Sequence, residues 1–126
     1  IGAVLTSVPG SSAVFKGGII CYTNWVKENI LEVNPATLKK YGAVSIPVAA
    51  EMALNARLML DANIGLSVTG LAGPEGDEFG RPVGTVFVGF DNGAKTVVKQ
   101  HRFSGDREAV RRQAVEAALQ LILEMN

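Results

Sequence analysis

Arg81-Pro82-Val83-Gly84-Thr85-Val86-Phe87-Val88-Gly89-Phe90-Asp91-Asn92-Gly93 is the stretch on which the fold turns. Its middle is rich in β-branched and aromatic residues, which suit a pleated, half-buried surface. A strand is therefore expected from Pro82 to Phe90. Asp91-Asn92-Gly93 carries the turn chemistry of a hairpin, so the chain should return antiparallel through Lys95–Phe103.

Upstream, Gly65-Leu66-Ser67-Val68-Thr69 reads as a buried strand that runs into a glycine loop, Gly70 to Gly80. Ile19-Ile20-Cys21-Tyr22-Thr23 is a short apolar run of strand formers and reads as another buried strand. Helical segments lie between them. Val4 to Val8 reads as a helix end closed by Pro9-Gly10, and Ser11–Phe15 as one helical turn. Asn24 is placed to cap a helix from Trp25 to about Leu31, and Asn34-Pro35 opens a second that stops near Gly42. Ser45 caps a longer helix that tolerates Pro47 in its first turn. There Val48, Met52, Ala56 and Met59, with Ala49, Ala53 and Leu60, recur at helical spacing as a core-facing stripe. Ser104-Gly105-Asp106 starts a last helix that runs nearly to the end. This order of elements describes an α/β protein, a three-layer α/β/α sandwich with a mixed sheet. Residues 1–126 form a single domain without linker or repeat. The opening Ile1-Gly2-Ala3-Val4-Leu5 reads like the interior of an element, so an N-terminal part of the domain is expected upstream.

The composition narrows the function classes. Lys plus Arg and Asp plus Glu are 12 each, so the basic excess of a general nucleic-acid binder is missing. One cysteine, Cys21, and one histidine, His101, leave no intrachain disulfide and too few ligands for a His/Cys zinc site. No metal or other cofactor is expected. The cysteine usage suits a reducing, cytoplasmic setting. No apolar run reaches the length of a membrane span.

Four features carry possible chemistry. In the last helix, Val110, Ala114, Ala118, Leu121, Ile122 and Met125 form one stripe, and Arg107 and Arg111 fall on that stripe near the helix start. Two inward guanidinium groups would either pair with buried carboxylates, Asp61 or Glu51, or hold an anionic ligand. Lys27 shares a face with Ile30 and Leu31, in the first turn of its helix. Burial and the helix dipole both lower a lysine pKa, which suits a general base. The commoner outcome at such spacing is a lysine that snorkels to solvent. Ser11 and Ser12 follow a tight turn; each is either an N-cap or a nucleophile beside backbone N–H donors. Thr69-Gly70-Leu71-Ala72-Gly73-Pro74 follows a strand and is either a tight connection or a ligand-binding loop. His101 reads as structural or surface, and Cys21 as an inert core residue.

Taken in order, these motifs resemble one family. Val8-Pro9-Gly10-Ser11-Ser12-Ala13-Val14-Phe15-Lys16-Gly17-Gly18, then Tyr22-Thr23-Asn24-x-x-Lys27 and Gly42-Ala43-Val44-Ser45, are similar to the CinA C-terminal (PncC-like) domain. So are Thr69-Gly70-Leu71-Ala72-Gly73-Pro74, Arg81-Pro82-Val83-Gly84-Thr85-Val86 and Gly105-Asp106-Arg107-x-x-x-Arg111, and together they span nearly the whole chain. The resemblance implies a metal-independent amidohydrolase that converts nicotinamide mononucleotide to nicotinic acid mononucleotide and ammonia, within NAD recycling. It makes Ser12 the nucleophile, Lys27 the base and Tyr22 an assisting residue. Ser11, Thr69, Gly70 and Gly73 would line the substrate site, where Arg107 or Arg111 would meet charge. It implies a small-molecule nucleotide as partner rather than nucleic acid or membrane, a homo-oligomer, and fusion in longer members to an N-terminal domain related to molybdopterin-binding folds. Two other roles accompany the family: nucleotide binding without catalysis, and an interaction role in competence or DNA damage. Two departures stand out. The family's Glu-Ser-Cys-Thr-Gly-Gly segment, expected just before the position of Ile1 and at the active site, is missing. Trp25-Val26 stands where a smaller, more polar pair is expected.

Overall fold

The computed structural model describes residues 1–125. In chain order they form α1 (Gly2–Thr6), a 3₁₀ turn (Ser11–Ala13), α2 (Asn24–Asn29), α3 (Pro35–Tyr41), α4 (Ile46–Met59), β1 (Gly65–Gly70), β2 (Thr85–Asp91), β3 (Thr96–Arg102) and α5 (Arg107–Glu124). The strands lie in the order β1-β2-β3. Val88 of β2 stands opposite Val68 of β1 and Lys99 of β3.

The quoted stretch forms the central strand. Every residue of β2 is buried, because helices cover both faces. Val86, Val88 and Phe90 point to one side and pack with Val110, Ala114, Ala118 and Leu121 of α5. Phe87 points to the other side and packs with Ala49 of α4 and Val44. A strand covered on both faces reads as a continuous apolar run rather than an alternating one. Each large side chain buried there contributes roughly 1.5–3 kcal/mol.

On the α4 side the approach is closer than any side chain permits. A Cβ on Gly89 would lie 2.5 Å from the Ala49 carbonyl oxygen, and one on Gly65 would lie 2.0 Å from that of Ala53. Glycine in both strands therefore lets the α4 backbone seat directly on the sheet. The Ser67 hydroxyl locks this seat by donating to the Ala49 carbonyl at 2.7 Å. The helix ends follow the sequence: Ser45 accepts from the Val48 N–H, Asn34 from the Ala36 N–H and Asp106 from the Ala109 N–H.

The α/β/α layering is as expected, and three details differ. Among the described residues every strand pair is antiparallel, so the sheet is not mixed. The expected strand Ile19–Thr23 does not form. Lys16 to Tyr22 is instead an extended arm in which no backbone N–H or C=O pairs with another backbone group among the described residues. Its alternation survives: Ile19 and Cys21 pack on a second cluster made by Leu31, Val33, Leu38, Val48 and Met52, while Ile20 and Tyr22 face outward. Strand composition makes an extended chain, but a strand also needs a neighbouring edge, and the arm lies against helices. Third, Met59, expected in the core-facing stripe of α4, is exposed, whereas Leu60 beyond it is half-buried. The hairpin between β2 and β3 is braced by Asp91, which is 3% exposed. Its carboxylate accepts from Arg57 Nε, Thr96 Oγ1 and the Gly93 N–H.

Candidate functional site

The candidate site lies where the arm meets α2, the glycine loop and the start of α5. Thr23 opens α2, its hydroxyl accepting from the Val26 N–H; the cap is one residue earlier than the expected Asn24. This places Lys27 on the helix face that turns inward, and the residue is only 6% exposed. Its Nζ donates to the Cys21 carbonyl oxygen at 2.7 Å. Burial pushes the ammonium below its ordinary pKa, an effect opposed by attraction to the Cys21 thiol when that ionises. No carboxylate forms an ion pair with Lys27 among the described residues. The lysine therefore does not snorkel out, and burial makes its amine easier to deprotonate than that of an exposed lysine.

Ser11 and Ser12 occupy the 3₁₀ turn, entered through Gly10, whose φ of 87° lies in the left-handed region that glycine tolerates. The Ser11 carbonyl accepts from the N–H groups of Val14 and Phe15. Ser11 is half-buried and Ser12 exposed. Neither hydroxyl forms a hydrogen bond with another described residue, so each is free of the N-cap role. Among the described residues no hydrogen bond joins Ser12 to Lys27. The arm between them sets how closely the two side chains approach.

The glycine loop leaves the end of β1. The buried Thr69 hydroxyl donates to the Ala43 carbonyl at 2.8 Å and ties the strand end to the start of α4. Gly70 lies against β2, where a Cβ would stand 2.7 Å from Val86 Cγ2. Gly73 has φ 101° and precedes a cis Pro74. Its carbonyl oxygen accepts from Arg107 Nη1 at 2.8 Å. Arg107 Nη2 donates in turn to the Tyr22 hydroxyl at 3.3 Å. One guanidinium thus joins the arm, the glycine loop and the start of α5.

The structure corrects the expected burial of the arginines. Arg107 and Arg111 are both exposed, and neither pairs with Asp61 or Glu51. The helical stripe describes where the Cβ atoms point, and a long cationic side chain still carries its head to water. Arg111 borders a shallow groove of about 450 Å³ with Ile1, Val68, Glu108 and Val115. Those residues are distinct from the Tyr22–Gly73–Arg107 group. Cys21, read from the sequence as inert, supplies the acceptor for Lys27 through its backbone, which side-chain reasoning does not detect. Glu51 was read only as a possible arginine partner, and its Oε2 is buried without a hydrogen-bond partner among the described residues. His101, in β3, stacks on Phe103 with ring centroids 5.0 Å apart. Among the described residues no three His, Cys, Asp or Glu side chains converge as a metal site, and no helix is long and apolar enough to cross a membrane.

The architecture is that of an α/β/α domain that carries a serine turn, a buried lysine and a glycine loop, of which the loop is joined to the arm and to α5 through Arg107. The CinA C-terminal domain model matches residues 1–126, and the chain belongs to that family. A nicotinamide-nucleotide amidohydrolase, PncC, of Enterobacter agglomerans is 44% identical over 124 residues, covering 98% of this chain and 76% of that protein. A competence-damage inducible relative in Halothermothrix orenii, so named on a provisional basis, is 56% identical over 109 residues. The chain spans 26% of that relative's length, and 29% of a similar relative in Thermoanaerobacter pseudethanolicus. Among solved structures, a CinA-superfamily protein of Escherichia coli superposes with a TM-score of 0.97 at 34% identity, covering 99% of this chain and 73% of that one.

Proposed function

We propose that this chain is an amidohydrolase domain that releases ammonia from the carboxamide of nicotinamide mononucleotide, with Ser12 as nucleophile and Lys27 as base. The observation that carries the reading is the buried Lys27 amine, held by one carbonyl oxygen and by no carboxylate. A Ser–Lys pair needs an amine that gives up its proton more readily than an exposed lysine, and burial lowers the Lys27 pKa in that direction. The similarity to the Enterobacter amidohydrolase over nearly the full chain supports the substrate class.

The chemistry is acyl transfer. Lys27 Nζ takes the hydroxyl proton as Ser12 Oγ attacks the carboxamide carbon. Backbone N–H groups of the serine turn stabilise the oxyanion. The protonated lysine returns its proton to the departing nitrogen, which leaves as ammonia. Water, deprotonated by the same amine, then releases nicotinic acid mononucleotide and regenerates Ser12. Tyr22 assists proton movement at the pocket mouth. Ser11, Thr69, Gly70 and Gly73 line the substrate site, and Arg111 and the spare donors of Arg107 meet the phosphate. Deprotonated Lys27 can keep one N–H on the Cys21 carbonyl and turn its lone pair to Ser12; catalytic hydrogen bonds commonly tighten only in the substrate complex.

A second reading is mononucleotide binding without hydrolysis. It draws on the missing Ser12–Lys27 hydrogen bond. Ammonia release by the full-length protein decides between them. Ser12→Ala and Lys27→Met should each lower turnover by at least about a thousandfold while nicotinamide mononucleotide still binds. Wild-type turnover in either variant removes the pair from the mechanism, and tight binding with no ammonia from the wild type favours the second reading.

A further inference from the structure

The arm from Lys16 to Tyr22 connects the serine turn to the lysine helix, yet its backbone makes no hydrogen bond to other backbone groups among the described residues. Three attachments hold it. Ile19 and Cys21 rest on the apolar cluster beneath α2 and α4. The Cys21 carbonyl accepts from Lys27. At the outer end, the Tyr22 hydroxyl accepts from Arg107, whose other terminal nitrogen donates to the Gly73 carbonyl. Tyr22 is otherwise 79% exposed, so nothing in its own packing fixes the ring. The two acceptors lie 85 and 34 residues from Arg107 in sequence, and the guanidinium reaches both because its N–H groups diverge from one rigid plane.

From this geometry we infer that Arg107 is a positioning residue that acts through Tyr22, stapling the arm to the glycine loop. The inference rests on the proposed Ser12–Lys27 chemistry for its catalytic consequence, though not for the staple itself. With the staple closed, the arm is held at both ends of the short span between Cys21 and Tyr22, and the loop beside it is held at Gly73. With it open, Tyr22 is released and the arm depends on the packing of Ile19 and Cys21 and the Lys27 hydrogen bond alone, so it lifts from the apolar cluster more often. Arg107 would therefore influence the rate of the chemical step even though it touches no reacting atom.

The arm reports its own state. Lys16 is exposed and precedes Gly17; cleavage after it requires the following residues, Ile19 among them, to leave the apolar cluster and extend into the protease cleft, so trypsin reads arm lifting. Cleavage is measured by mass spectrometry on the full-length protein, under conditions where opening is fast relative to cutting. Arg107→Met should raise the Lys16 cleavage rate about fivefold, the worth of one modest hydrogen bond. Tyr22→Phe should raise it similarly, and the double variant no further. Arg107→Lys should restore part of the protection, since an ammonium reaches one acceptor but not both. For turnover of nicotinamide mononucleotide, Arg107→Met should lower kcat about tenfold in the wild-type background and leave kcat unchanged in the Tyr22→Phe background. A phosphate contact would show separately, as a raised KM in both backgrounds. Unchanged cleavage at Lys16 in Arg107→Met overturns the staple, as do cleavage effects that multiply in the double variant. Cleavage as expected, with kcat losses that multiply across the two residues, overturns the claim that Arg107 acts through Tyr22. If the wild-type protein releases no ammonia, the amide-cleavage reading fails, and the cleavage cycle alone still decides the staple.

Discussion

A buried lysine leaves a signature in the pH dependence of folding that no surface lysine produces. Lys27 is 6% exposed, and its pKa lies below the ordinary 10.5 because burial disfavours the charged form. Between the folded-state pKa and 10.5 the unfolded chain therefore binds one more proton at this position than the folded chain does. Stability then rises with pH across that window, with a limiting slope of about 1.4 kcal/mol per pH unit. Below the window the penalty for burying the ammonium is complete, and above it the penalty is gone. Lys27→Met keeps the apolar stem and removes the titration. It also leaves the Cys21 carbonyl without its donor, which costs about 1–3 kcal/mol at every pH. The two effects differ in form: the lost hydrogen bond shifts the curve, and the lost titration changes its slope. Urea unfolding followed by the fluorescence of Trp25, the single tryptophan, gives the stability of both proteins at intervals from pH 7 to 10. Subtracting one curve from the other cancels the remaining lysines and tyrosines. The difference should narrow or widen with the slope given above inside the window and stay flat outside it. Parallel curves across the whole range would show that Lys27 titrates alike in both states, and the case for a neutral catalytic amine would lose its physical basis.

Three further outcomes follow from the packing. Asp91→Ala should cost about 3 kcal/mol in urea unfolding, because it strands the half-buried Arg57 guanidinium and two other donors. Hydrogen bonds from Thr96, Arg57 and Gly93, with the Arg57 charge, hold the Asp91 pKa below 3.8 against the opposing effect of burial; its stabilisation is therefore present above pH 3.8 and lost as the pH falls through the folded value. Gly89→Ala should lower the thermal midpoint by an amount equivalent to about 2–3 kcal/mol, since the new Cβ would stand 2.4 Å from Ser67 Oγ and 2.5 Å from the Ala49 carbonyl; an unchanged midpoint would mean that α4 can lift from the sheet freely. Glu51→Met should raise thermal stability by about 1 kcal/mol, because it removes a buried carboxylate oxygen that has no partner among the described residues, and a loss of stability instead would reveal a partner for Glu51 in solution.

Local chemistry was readable wherever neighbours in sequence decide the outcome. The caps at Asn34, Ser45 and Asp106, the hairpin after Phe90 and the core stripe Val110–Ala114–Ala118–Leu121 all follow from short-range rules. For Lys27 the spacing left two outcomes and favoured a lysine that snorkels to solvent; only the packing of α2 buries it. The ordered motifs from Gly10-Ser11-Ser12 to Gly105-Asp106-Arg107 marked the family before any coordinates.

What only the tertiary structure decided are the contacts between segments far apart in the chain. Ile19–Thr23 has the composition of a strand, but whether it pairs depends on an available sheet edge, which composition does not record. Arg107 has the helical phase of a buried residue, but a flexible side chain several bonds long chooses among acceptors anywhere within its reach, and it found Gly73 and Tyr22. The Cys21 carbonyl became the acceptor for Lys27 through the path of the backbone rather than through the side chain. Periodicity and capping are properties of adjacent residues and survive in the sequence, whereas a hydrogen bond between distant segments exists only once packing has brought them together.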